Sequence, residues 1–219
     1  MHVTECAPAS QLVYQIDIIN VCNAQCSYCP YSTMQRAPQR MTKDVFAATL
    51  RCMSNREVSL HHFGEPLLHP DLEEFVGMAV GMGFRVGFST NGKRLTQARL
   101  DQLGRVGLAW LRIHTDPFGV RLAQFKTPLG MAMTEHRLMV KNDAPKKDLV
   151  SFSGYLDMPT KVRRACSFLT DGWRVVLSNG TFALCCHDME GTNAKEVLCS
   201  ECEGYVFRSP SDWGHYDGQ

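Results

Sequence analysis

The chain has 219 residues, 44% of them hydrophobic, which is enough for one domain with a true core or a domain with a small appendage. Its 23 Lys plus Arg nearly balance 22 Asp plus Glu, which disfavours non-specific nucleic-acid or anionic-membrane binding and leaves only a local patch open to either. No segment approaches the roughly 18 consecutive apolar residues of a membrane span, and the N-terminus lacks an export signal, so a cytoplasmic protein with reduced thiols is expected.

In chain order, the apolar run Val13 to Val21 reads as a strand and opens directly onto C-N-A-Q-C-S-Y-C, with Cys22, Cys26 and Cys29 in CxxxCxxC spacing. Three thiolates this close can hold three irons of a cubane cluster and leave the fourth iron without a protein ligand. A Pro-rich polar loop follows, then a helix that Thr42 caps. The next unit is a strand, R-E-V-S-L-H-H-F, ending at Gly64-Glu65-Pro66, and a helix with Pro70 near its start and Gly83 as its stop. A third unit pairs F-R-V-G-F-S-T-N-G with T-Q-A-R-L-D-Q-L-G-R-V-G, and a fourth strand reads L-A-W-L-R-I-H-T-D.

Strands alternating with helices imply a parallel sheet with right-handed crossovers, and ligands of such sheets bind at the carboxyl ends of the strands. The triad, Gly64-Glu65-Pro66, Ser89-Thr90-Asn91-Gly92 and His114-Thr115-Asp116 all fall there. By strand alternation Arg112, His114 and Asp116 share one face, which would meet ligand if it lines the interior, or hold an Arg112–Asp116 ion pair if it does not. His61 and His62 point to opposite faces, so at most one reaches the site.

Residues 117–147 resist close assignment, with M-A-M-T-E-H-R-L-M-V-K read as a helix. K-D-L-V-S-F-S-G-Y reads as a fifth strand, and V-V-L-S-N-G-T-F-A-L-C-C-H-D as a hairpin turning at Asn179-Gly180. Cys166, Cys185, Cys199 and Cys202 form a second set, in which four thiolates suit zinc or an iron-sulfur cluster alike. Cys6 and Cys52 stand outside both sets and read as ordinary small residues.

These motifs together resemble the radical S-adenosylmethionine (SAM) enzymes: the triad with aromatic Tyr28 before its last cysteine, G-E-P at the second strand end and S-T-N-G at the third, in that order. Phe63 stands where the family often has Gly, as in a branch reading F-G-E-P-L-L-H-P. His114-Thr115-Asp116 departs from that branch's usual S-I-D. The resemblance covers about residues 13 to 203. It implies an α/β fold, a partial, laterally open (β/α) barrel of about five or six parallel strands with a small C-terminal β-hairpin cysteine module. The expected boundaries are 13–158 for the barrel, 159–204 for the module and 205–219 for a tail holding Trp213, His215 and Tyr216.

By the same resemblance Cys22, Cys26 and Cys29 hold a 4Fe-4S cluster whose open iron is chelated by SAM. Gly64, Glu65 and Pro66 meet the SAM amino group, Tyr28 the adenine, and Ser89, Thr90 and Asn91 the ribose or methionyl part. Arg112, His114 and Asp116 are candidate catalytic residues, with His114 also a candidate cofactor contact.

The second set looks like the auxiliary-cluster modules of the SPASM and twitch groups, nearest a twitch module with one 4Fe-4S cluster. In the C-C-H-D run, Cys185 fits the G-x4-C pattern, so Cys186 is expected beside the ligands, near Asp188. A fully liganded auxiliary cluster suits electron transfer, which favours an oxidative enzyme acting on a small molecule, served by an external one-electron reductant such as flavodoxin or ferredoxin. A peptide or protein maturase is the runner-up, although only about twelve residues precede the first strand and leave no room there for a leader-binding domain. A redox-neutral isomerase or a modifier of nucleotides or nucleic acid is the third alternative.

Overall fold

A computed structural model describes residues 12–26, 29–114, 120–136 and 173–183. Among the described residues seven strands form one sheet in the order β5-β4-β3-β2-β1-β6-β7. In chain order these are β1 (Leu12–Ile16), β2 (Glu57–Ser59), β3 (Arg85–Thr90), β4 (Trp110–His114), β5 (Ala132–His136), β6 (Trp173–Val176) and β7 (Phe182–Ala183). Every pairing from β5 across to β6 is parallel, and only β6 with β7 is antiparallel. Among the described residues no pairing joins β5 to β7.

Among the described residues three helices serve as crossovers: α1 (Lys43–Arg51), α2 (Leu72–Gly81) and α3 (Gln97–Arg105). Thr42 caps α1 and Thr96 caps α3, each side chain accepting the N–H three residues on, as a helix start requires. Gly83 follows α2 with φ 84°, a left-handed conformation that glycine adopts without a Cβ penalty. Each helix buries a stripe against the sheet, and Phe46 of α1 stacks on Phe75 of α2 with ring centroids 4.3 Å apart.

Alternation along the strands gives the sheet two faces. Val58, Val86, Phe88, Leu111 and Ile113 are fully or nearly fully buried beneath the helices. The opposite, inner face carries Gln15, Ser59, Gly87, Ser89, Trp110 and Arg112, brought side by side by the strand register.

The segment read as a helix from Met131 contains β5 instead, paired residue for residue with β4 from Trp110↔Ala132 to His114↔His136. Its Met, Ala and Glu favour a helix, but the open edge of β4 offers a full ladder of hydrogen bonds, and that tertiary pairing overrides propensity. The expected strand in K-D-L-V-S-F-S-G-Y lies outside the described residues. The expected hairpin forms: Gly180 adopts φ 86°, and β6 continues the main sheet beyond β1.

Candidate functional site

The site is built where strands β1, β2 and β3 end. After β1 the chain leaves the sheet, and its long loop is closed at the base by backbone bonds from Met41 to Ile18 and from Asn20 to Gln39. Asn20, 2% exposed, bonds the same loop with its side chain, donating to Ala37 O and accepting from Gln39 N. Arg36 binds Asp17 Oδ2 at 2.8 Å and Ser178 Oγ at 2.9 Å, pinning the loop to the β6–β7 turn. Within this frame Cys22, Cys26 and Cys29 are free, half-buried thiols, and the Cys29 N–H donates to Cys26 O.

Burial is the main cause that pushes the Cys22 thiol up to about 11, and it raises Cys29 as well. The neighbouring thiols add to the rise at both, so three thiolates crowded here need a cationic partner. Among the described residues no three His, Cys, Asp or Glu side chains converge on one metal ion. Cysteines spread round a loop fit a multi-iron cluster, in which each binds a different iron. The donor set therefore suits such a cluster held by Cys22, Cys26 and Cys29.

Gly64 brings the second motif up against this loop. A Cβ there would collide with the Ile19 carbonyl, and the next residue, Glu65, donates its N–H to Val21 O at 2.9 Å. Only glycine permits that approach. The Glu65 side chain is 3% exposed and accepts from Leu67 N, Thr90 Oγ1 and Asn91 N at 3.0, 2.6 and 2.8 Å. Burial raises its pKa, and these three bonds oppose the rise. The carboxylate is thus committed to holding the end of β3, while the Glu65 and Pro66 carbonyls accept the Leu68 and His69 N–H groups.

Asn91 completes the junction. Its Nδ2 donates to Asn23 Oδ1 at 2.8 Å and lies 3.9 Å from Cys22 Sγ, so the third motif touches the cysteine loop directly. Lys93 reaches the same loop at Asn23 O. Ser89, 7% exposed, gives its N–H to His61 Nδ1 at 3.2 Å. Thr90 faces the helices and serves Glu65.

On β4, Leu111 and Ile113 are fully buried while Arg112 is exposed and His114 partly so, which places Arg112 and His114 on the inner face. Tyr28, Asp116, Cys166, Cys185, Cys199 and Cys202 lie outside the described residues, as do Cys186 and Asp188.

Three further residues meet at the site. Asn23 lay hidden between two cysteines, with no signal beyond its position. His61 was one of an ambiguous pair. Trp110 could have been found from the small Gly87 that the register sets beside it, since the indole lies over the space a side chain there would fill.

The Radical SAM superfamily pattern matches residues 16–119. The chain is similar to the S-adenosyl-L-methionine-dependent 2-deoxy-scyllo-inosamine dehydrogenase of Niallia circulans, 32% identical over 101 residues, which cover 43% of this chain and 40% of the relative. It is also similar to the PqqA peptide cyclase of Streptomyces rochei, 34% identical over 106 residues, 47% of this chain and 28% of the relative. The chain thus spans less than half the length of either curated relative. In fold it resembles BtrN, solved in complex with AdoMet and 2-DOIA, with TM-score 0.64 and 22% identity over 86% of this chain and 79% of that one. No helix among the described residues is long and apolar enough to cross a membrane.

Proposed function

The chain carries a radical SAM domain, and on that premise we propose that it oxidises an alcohol or comparable C–H-bearing group of a small molecule. The observation that carries this is the junction of Glu65, Asn91, Asn23 and Cys22, which gathers three motif segments onto one rim beside the cysteine loop. When bound, a 4Fe-4S cluster with SAM supplies a radical that removes a hydrogen atom, and a second cluster supplies an electron acceptor.

This chain's own residues do the rest. Cys22, Cys26 and Cys29 hold the first cluster. The Gly64-Glu65-Pro66 backbone receives the SAM amino group, Asn91 orients the loop that carries Cys22, and Ser89 borders the methionyl or ribose part. Arg112 and His114 stand on the inner face, where substrate lies, with Asp116 two residues on. Cys166, Cys185, Cys199 and Cys202 are the ligands proposed for the second cluster. The hairpin leading to Cys185 adjoins β1, the strand that feeds the first cysteine loop, and this supports electron transfer between the two sets.

The likeness to a peptide cyclase supports a second reading, modification of a peptide side chain. Mass spectrometry with deuterated candidates separates the two. Deuterium passing from a small alcohol into 5'-deoxyadenosine, with a carbonyl product two hydrogens lighter, supports the oxidation. Transfer from a peptide alone removes it.

A further inference from the structure

The inner face of β2, β3 and β4 carries hydrogen-bond donors whose acceptors are missing. Just past β2, His61 turns its Nδ1 back to the sheet, where it receives the Ser89 N–H and meets Ser59 Oγ at 2.5 Å. A backbone N–H can only donate, so Nδ1 must be an acceptor and the ring proton must sit on Nε2. Nε2 lies on the far side of the ring, and among the described residues it has no hydrogen-bond partner. Burial, with His114, His62 and Arg112 nearby, lowers the His61 pKa to about 3, so the ring stays a neutral N–H donor at working pH.

The Trp110 indole stands edge-on to this ring, with centroids 6.5 Å apart and planes at 87°. Its Nε1 is buried and without a hydrogen-bond partner among the described residues. A buried N–H left in that state is destabilising unless something accepts it. Arg112, paired in register with Ser89, adds a guanidinium that makes no ion pair or hydrogen bond among the described residues. The carboxylate that β2 brings to this face, Glu57, lies two residues before Ser59 at the far end of the strand and is paired with Arg85.

We propose that His61, Trp110 and Arg112 form a donor-only subsite for an oxyanion, a carboxylate or phosphate group, carried by the substrate. The proposal rests on the oxidative reading for the word substrate, and it deepens that reading by naming a chemical class. An ammonium-bearing substrate would place its cation against two N–H donors and a guanidinium. An oxyanion accepts from all of them, and the guanidinium adds a charge-assisted bond.

The test uses the full chain, reconstituted anaerobically, oxidised and loaded with SAM. Isothermal titration calorimetry at constant ionic strength measures inorganic phosphate, acetate and methylammonium in turn. His61→Asn keeps an acceptor for the Ser89 N–H while deleting the Nε2 donor, and Trp110→Phe keeps the ring while deleting its N–H.

Saturable binding of phosphate or acetate is expected, and the tighter of the two names the group. Arg112→Gln should weaken it by about tenfold or more, and His61→Asn or Trp110→Phe by about threefold or more, with Lys43→Gln on α1 unchanged. The proposal is overturned by absence of saturable binding to the SAM-loaded protein, by equal binding in the variants, or by methylammonium binding as well. Substrate-free SAM cleavage in the same preparations tests the radical reading separately, because anion binding to the oxidised enzyme does not depend on it.

Discussion

Glu65 and Asn91 stand at the ends of neighbouring strands and are joined by a 2.8 Å hydrogen bond from the Asn91 N–H to Glu65 Oε2. The Asn91 side chain then continues to Asn23 and Cys22, so a buried carboxylate on one motif sets the position of the cysteine loop through another.

That chain of contacts predicts the behaviour of Glu65→Gln. One of the two accepting oxygens becomes an NH2 group facing a donor, and a buried N–H loses its partner at a cost of about 1–3 kcal/mol. Thermal unfolding of the reconstituted protein should show the loss, together with weaker SAM binding by equilibrium dialysis. Unchanged SAM affinity in a destabilised variant would confine Glu65 to a purely structural role.

Arg36→Met should be more damaging than its distance from the cysteines suggests. Asp17 has a 2% exposed side chain, and removing its partner leaves a buried carboxylate uncompensated, at about 3–5 kcal/mol. The double change Asp17→Asn with Arg36→Met should recover part of that stability. Denaturant titration of the three variants measures this, and equal losses for the single and double variants would contradict it.

His61 predicts an acid-sensitive fold. Its pKa is depressed in the native state to about 3, from an ordinary value near 6.5, so between these limits the unfolded chain binds the extra proton. Stability therefore rises with pH through this window and is lost as pH falls below about 6.5, by up to about 1.4 kcal/mol per pH unit. His61→Asn should flatten this dependence in urea titrations run from pH 7 to pH 4.5. An equally steep profile in the variant would assign the acid sensitivity to other groups.

The cysteine sets predict a specific iron count. Two four-iron clusters give about eight irons per reconstituted chain, and replacing Cys22, Cys26 and Cys29 with Ala should leave about four. About four irons in the wild type and none in the variant would remove the second cluster.

Much of the arrangement was legible because local chemistry dictated it. Thr42 was placed to cap a helix and Asn179-Gly180 to turn, and alternation along β4 set Arg112 and His114 on one face, while the burial of Leu111 and Ile113 in the fold is what shows that the polar face looks inward. The β5 segment was misread because Met, Ala, Thr and Glu satisfy both periodicities, and only the vacant edge of β4 decides between them. The Arg36 tie to Ser178 was illegible for another reason: it spans 142 residues, and no local pattern records such a pairing. The commitment of Glu65 to Thr90 and Asn91 was likewise invisible, since a G-E-P turn reads the same whether its carboxylate faces a ligand or the protein.

The Cys22, Cys26 and Cys29 loop is proposed to make this chain a generator of substrate radicals from SAM. Chemically reduced, anaerobically reconstituted protein incubated with SAM tests it most directly, with 5'-deoxyadenosine and methionine quantified against the triple Ala variant. Equal amounts of both products from the wild type and none from the variant are predicted. Iron-loaded wild type that leaves SAM intact, or cleavage that survives in the variant, would contradict the claim.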